Sequence, residues 1–528
     1  MWKVLFSMRS EVTRLGAKMP LAEQLRLLDD VLAADDPRAA PHLLYAMIEG
    51  RLPEHETTRT IGSLLANAPS LVLLRLEQEM RTASEPPEWT NPGRQLEALA
   101  KFATSPSHWG IQALATLDRS GYARESAVRT LARISQGGQE NPYLLLRTQD
   151  WVSQVKSAAV AAVSARLLPN YAAAWVSALP LVMHLARLRS RAERSVVDSV
   201  LKLLGSTDAR PALLAGVTSR DVYVRRECFS FAVSVGHPVP HLVSAAILDN
   251  DSLIRLWGVQ QLKRNEGLSE ASAFARSTLH DSFAPVRRTA LEVLARVEGQ
   301  HAGPEFSAAL LDGTASIRAQ ARQSLARWGF FGFPEVYRGA LGKPRRQVPA
   351  ILGLGEVGAS EDAADLLRFL EDPRPRLREA AARSIALLLN TEAIPALLEL
   401  LTDASRRVSR TAYRLLTRHL NGEIAARAWH LAESAPPSRA LSAVNLLSQL
   451  PKWEALEYLL RASALPKPVQ TEAVRLLQKW LRDYPKSQRQ LSQAEAGKLS
   501  AMFRESASPL PPEIRAHLAS ILEFWRTL

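Results

Sequence analysis

The chain has 528 residues, 47% of them apolar and 23% charged, with a formal net charge of +13. That balance excludes a largely disordered chain, and a single cysteine, Cys228, excludes an internal disulfide framework or a cysteine-built metal site. Arginine supplies 54 of the 66 basic residues, a bias that suits phosphate recognition and equally suits a GC-rich coding bias, so charge alone decides nothing.

Leu and Ala recur throughout while alternating β-branched runs are rare, so helix is expected nearly everywhere. The opening "MWKVLFSMRSEVTRLG" has a five-residue apolar core, too short for a secretory signal, and a cytoplasmic location is expected. Residues 1–115 read as an amino-terminal cap or as degenerate repeats, with "EPPEWTNPGRQ" (85–95) as a loop. Between Arg166 and Arg187, "LLPNYAAAWVSALPLVMHLA" carries no formal charge. Pro169 and Pro180 divide it into two short buried helices, so no integral membrane span is expected.

Residues 116–480 are periodic. A helix-start pattern of an aliphatic residue, often Arg, then a small residue at the fifth place appears as "VRREC" at Val224, "IRLWG" at Ile254, "VRRTA" at Val286 and "IRAQA" at Ile317. It continues at Val348, Leu377, Val408, near Arg439 and at Val469, with earlier copies at Ala123 and Val155. Steps between anchors from 224 to 408 are 30, 32, 31, 31, 29 and 31 residues. Turns such as "DNDSL" and "TDASR" precede the anchors and supply helix caps. Val286, Ala290, Val293, Leu294 and Val297 then form a helical apolar stripe. Each unit is therefore helix, turn, helix, and such a pair buries its apolar face only by stacking on its neighbours. Residues 481–528 read as a polar linker and a proline-started capping helix.

The aliphatic-Arg-x-x-Ala start, the aspartate turn and the thirty-residue step resemble the short HEAT-like repeats of the phycobilisome-lyase type. The resemblance implies an all-α, right-handed α-solenoid of stacked two-helix repeats. It implies no single activity, since the family includes scaffolds, adaptors, chromophore lyases and some DNA glycosylases.

"GLGEVG", residues 353–358, has the G-x-G-x-x-G spacing of a dinucleotide turn. It lies at the end of the helix starting near Val348, with no strand before it, so its glycines are expected to punctuate that helix end rather than hold a cofactor. Arg225, Arg255, Arg287, Arg318 and Arg378 share one repeat position and are expected to form a structural ladder with turn aspartates such as Asp251, Asp281, Asp312, Asp372 or Asp403. Arg406, Arg410, Arg414 and Arg418 step by four, with no acid between Ala404 and Asn421. With Arg345, Arg346, Arg374 and Arg376 in nearby turns they form the candidate surface for an anionic partner.

Asp150 and Trp151 in "QDWV", with Trp257, match the residue types of HEAT-like DNA glycosylases without an alignable motif. His237 and His241 flank two prolines and make a poor metal pair. No nucleophile elbow or Walker loop is present in the sequence. The expectation is a non-enzymatic scaffold without catalytic residues, cofactor or metal, binding a protein partner on a concave face. Nucleic-acid binding through the arginine-rich face is the alternative.

Overall fold

The computed structural model describes residues 20–82, 91–188, 195–264, 270–484, 490–506 and 510–527. The amino-terminal apolar segment and residues 85–90 of the expected loop lie outside them. The described residues are helices joined by turns, with no strand among them, and the chain divides into two compact units, Met1–Glu270 and Ala271–Leu528. Both are all-α.

In Ala271–Leu528 the order is regular. A first helix (Ala271–Ser277, Gly303–Ala309, Phe333–Ala340, Asp362–Leu367, Ile394–Glu399) turns into a longer second helix (Ala284–Val297, Ala315–Arg327, Gln347–Val357, Pro375–Leu389, Arg406–Leu416). Three further pairs follow, Gly422–Ser434 with Pro437–Leu447, Lys452–Ser463 with Val469–Asp483, and Gln493–Ser506 with Pro512–Thr527. Each second helix packs on the second helix of the next pair, from Ala284–Val297 through Val469–Asp483. First helices of six to eight residues are too short to persist alone in water, so the stack is what holds them helical. Of the stripe predicted from Val286, Val286, Ala290, Val293 and Leu294 are inaccessible but Val297, at the helix end, is 50% exposed; Ile317, Ala321, Leu377, Ala381, Val408 and Ala412 repeat the buried positions. At the far end Trp525 Nε1 donates to Tyr484 Oη at 2.8 Å, and Lys452 Nζ donates to the Tyr484 carbonyl at 2.6 Å, pinning the last helix to its neighbours.

Met1–Glu270 is less regular. Hairpins of the same kind occur at Trp109–Ala115 with Gly121–Ile134, Asn141–Arg147 with Ser153–Ser164, and Arg210–Gly216 with Val222–Ser234. Before them the chain folds back on itself, for Arg147 Nη2 donates to Glu77 at 2.6 Å across 70 residues of sequence. Of the loop expected at 85–95, the described part from Asn91 opens a helix. Asn91 caps a helix Pro92–Lys101 by accepting from Gly93 N and Arg94 N, and proline at the first helical position needs no N–H. Likewise the polar linker expected from 481 is helical from Gln493, where Ser492 and Glu495 form a reciprocal cap.

The uncharged stretch at 167–186 becomes Pro169–Ser177 and Leu179–Leu188, bent by 75°. The break falls at Ala178, ahead of Pro180, because proline fits a first helical turn. One run, Pro375–Thr402, is long and apolar enough to cross a membrane by length and composition. Its Leu377, Ala381, Ile385, Leu397 and Leu398 are buried, and Pro375–Leu389 packs on the second helices either side of it.

The "GLGEVG" glycines do not act as predicted. Gly236 and Gly329 end their helices with φ of +83° and +89°, the left-handed conformation that favours glycine. Gly358, by contrast, is extended, with φ −74° and ψ 174°. Gly353 and Gly355 lie inside the helix Gln347–Val357 and permit close approach. A Cβ on Gly353 would meet Tyr337 Cε1 at 2.2 Å, and one on Gly355 would meet Ser384 Cβ at 2.4 Å. They are contact glycines between three helices. Gly353→Ala is expected to cost about 1–3 kcal/mol by overpacking. Gly497→Ala, in the helix Gln493–Ser506 with nothing within 4 Å of its added Cβ, should be neutral or stabilising by up to ~1 kcal/mol. Parallel thermal melts followed by circular dichroism compare the two.

Candidate binding surface

The surface is organised by the turns between first and second helices. In each regular turn an aspartate Oδ1 accepts the backbone N–H two residues on: Asp281 from Phe283, Asp312 from Thr314, Asp372 from Arg374 and Asp403 from Ser405. Six residues after the first three of these aspartates an arginine returns its Nη1 to the aspartate's own carbonyl, as Arg287 does to Asp281 at 2.7 Å and Arg378 to Asp372 at 2.8 Å; after Asp403 the place is taken by Ser409. The remaining fork of the guanidinium reaches the next turn. Arg287 Nε and Nη2 donate to Asp312 at 2.8 Å each, and Arg378 does the same to Asp403 at 2.8 Å each.

Met1–Glu270 uses the same device. Arg225 takes Asp249 at 2.8 and 3.0 Å rather than the Asp251 expected from sequence, because Asp251 is held by Arg226 at 2.7 and 3.0 Å. Arg255 Nη1 donates to the Asp249 and Asn250 carbonyls at 2.9 and 3.0 Å. The most buried rung is one that sequence reasoning missed. Arg124 and Asp150, each 1% exposed, pair at 2.8 and 2.9 Å, and Arg147 joins them at 3.1 Å. Its signal was present: Arg124 lies six residues after Asp118 and 26 before Asp150.

One rung is broken. Lys343 stands where the turn aspartate belongs, and Pro349 where its arginine belongs. Arg318, left without that aspartate, turns to Glu356, which Arg322 also reaches at 2.8 Å. On the other side of the break Asp372 receives Arg374 of its own turn at 2.9 Å, and this pair holds its carboxyl down at about 2. Arg374, a predicted anion-binding residue, is thereby occupied, and it also donates to Gln347 Oε1 at 2.9 Å.

The other predicted arginines are differently placed. Arg406, Arg410 and Arg414 lie on one face of the helix Arg406–Leu416, and Arg418 follows in a short 3-10 turn. They are exposed, as are Arg345, Arg346 and Arg376, and none of these seven forms an ion pair among the described residues. Arg439, which the sequence reading passed over, is exposed in the same manner in the first turn of Pro437–Leu447. The exposed acids of this stretch sit elsewhere: Glu361 and Asp365 precede or open the first helix Asp362–Leu367, and Glu392 and Glu399 lie along Asn390–Glu399. The unpaired arginines are thus concentrated on the second helices, while these acids, with the exposed Arg368 among them, lie on the first.

The residues matching glycosylase types do not assemble. Asp150 is buried in the ladder: burial pushes its carboxyl up, but the hydrogen bonds from Arg124 and the Val152 N–H outweigh that and leave it lowered. Trp151 points outward, 84% exposed, and Trp257 packs against Phe229 with ring centroids 5.2 Å apart. His237 is buried ahead of the helix Val239–Ala246 while His241 is exposed within it. Among the described residues no group of three His, Cys, Asp or Glu could hold a metal. Cys228 is fully buried in the helix Val222–Ser234, and burial, helped by Glu227, pushes its thiol up to about 12.

Two outcomes follow. Asp150→Asn strands the Arg124 guanidinium in the interior, while Arg147 keeps Glu77, and is expected to cost about 3–5 kcal/mol in chemical denaturation. Because the Asp150 and Asp312 carboxyls are lowered in the fold, their contribution is complete above the ordinary carboxylate pKa of ~3.9 and disappears as pH falls through the lowered value. Asp150→Asn should therefore flatten the acid limb of the stability curve. Separately, Cys228 should resist a thiol reagent at pH 8 and react at once in denaturant.

Residues 344–419 match the family model described as HEAT repeats. No curated protein matches the chain. Solved structures with similarity include the complex of CpcE and CpcF of phycocyanin lyase from Nostoc sp. PCC7120, 22% identical over 46% of this chain and 94% of that one, with a TM-score of 0.21. Kap95p in a study of its binding to RanGDP is 12% identical over 87% of this chain and 66% of that one, at 0.33. The Cnd3-Cnd2 condensin subcomplex of S. pombe is 12% identical over 99% and 84%, at 0.31. The matched residues contain the Arg378–Asp403 rung and the Pro349 position of the broken one, so HEAT repeats and the ladder coincide over residues 344–419.

Proposed function

We propose that the chain is a non-enzymatic scaffold that binds a protein partner across the stacked second helices of Ala271–Leu528. One observation carries this reading. Anchors barely change from repeat to repeat (Val286, Ile317, Leu377 and Val408 buried, Val348 half-buried), whereas the position immediately before each reads Pro285, Ser316, Gln347, Arg376 and Arg407. A repeated frame that holds its core and varies its solvent-facing row is the arrangement by which a solenoid presents a long, specific contact surface. HEAT repeats at 344–419 agree with a protein-interaction role.

The test is site-specific photo-crosslinking in the native host. A photoreactive residue at Arg407 or Arg410 should capture a discrete protein, which then binds the purified chain. The same residue at Glu361 or Glu392, on the first-helix layer, should capture none. Equal capture from both layers would remove the reading.

A further inference from the structure

Resting on that scaffold reading, we propose that the second-helix first turns between 345 and 439 form a groove-wall for one extended acidic segment of the partner, with a carboxylate at every third residue. Arg345 and Arg346 lead into Gln347–Val357, Arg376 opens Pro375–Leu389, Arg406 opens Arg406–Leu416, and Arg439 opens Pro437–Leu447. The four helices pack consecutively, so each repeat brings at least one of these arginines to the start of its second helix: Arg345 and Arg346 just before it, Arg406 as its first residue, Arg376 as its second and Arg439 as its third.

A cation at a helix amino terminus opposes the helix dipole. The two repeats just upstream place Pro285 and Ser316 there instead. Four helices in succession with the unfavourable sign, and no carboxylate on Arg345, Arg346, Arg376, Arg406 or Arg439 among the described residues, leave charge that only an outside group can complement. The acids nearest the row are already engaged: Asp372 by Arg374 and Arg378's carbonyl contact, and Glu379 by Arg383 and Arg407.

Spacing selects the ligand. Packed helices lie about 8–10 Å apart. An extended polyproline-II chain advances about 3.1 Å per residue with three residues per turn, so every third side chain returns to the same face after about 9 Å. A carboxylate at each third residue therefore meets one arginine per repeat, and arginine forks bind carboxylates bidentately.

The probe is a fluorescent twelve-residue peptide with Glu at every third position in a proline-rich background, titrated into the full chain by anisotropy. A peptide of identical composition with its glutamates contiguous, and a single-stranded oligonucleotide of equal charge, serve as comparisons. The spaced peptide should bind most tightly, and Arg376→Glu with Arg406→Glu should weaken it about tenfold or more while the thermal melt stays unchanged. Equal or tighter binding of the contiguous peptide or the oligonucleotide would overturn the proposal, as would an unaffected double variant. If the photo-captured protein binds that double variant normally, the acidic-segment proposal fails while the scaffold reading stands.

Discussion

The bond on which the repeat architecture depends joins an arginine to the aspartate of the following turn. Each aspartate has two tasks there. One carboxylate oxygen closes its own turn by accepting a backbone N–H, and the pair of oxygens receives the preceding repeat's guanidinium. The guanidinium is equally committed, with one nitrogen on its own turn's carbonyls and two on the next aspartate. A planar five-donor head is able to satisfy both sets of acceptors at once, whereas Lys156, which takes the same position six residues after Asp150, stands exposed. The result fixes register between neighbouring hairpins, where apolar packing alone tolerates sliding. Single letters in the sequence become rows in space through that constraint.

Much of this was legible from the residues because a buried stripe and a thirty-residue period survive in the letters themselves. Anchors from Val224 to Val408 and the arginine after them could be read without coordinates. The partner of Arg225 could not, since Asp249 and Asp251 lie two residues apart and only geometry gives the first to Arg225 and the second to Arg226. Nor could the purpose of Gly353 and Gly355, which depends on Tyr337 and Ser384 in other helices. Asn91-Pro92 misled for a different reason. The dipeptide breaks a helix in its middle yet starts one at its edge, and local sequence does not distinguish the two.

The placement of the exposed arginines has the same origin. Ladder arginines are consumed within the fold together with their aspartates, so the count of 66 basic residues overstates what a partner meets, while the net charge of +13 is unchanged by the pairing. What remains in view is narrower and better ordered, a set of arginines on the second helices with the exposed carboxylates of the same stretch carried by the first helices. Formal charge pointed to 340–420 as the basic region. Pairing then removed Arg374 from the available set, and the fold added Arg439.

The broken rung gives one junction a different chemistry from its neighbours. Where Lys343 and Pro349 replace the ionic pair, the helices Gln347–Val357 and Pro375–Leu389 meet through bare backbone, Gly355 against Ser384, with the Ser384 hydroxyl donating to the Ile351 carbonyl at 2.8 Å. Acid and salt act on carboxylate–guanidinium contacts and leave such a dry, close seam largely untouched. In a linear array whose cohesion is a sum of nearest-neighbour couplings, a step insensitive to ionic conditions keeps its strength where the charged steps weaken.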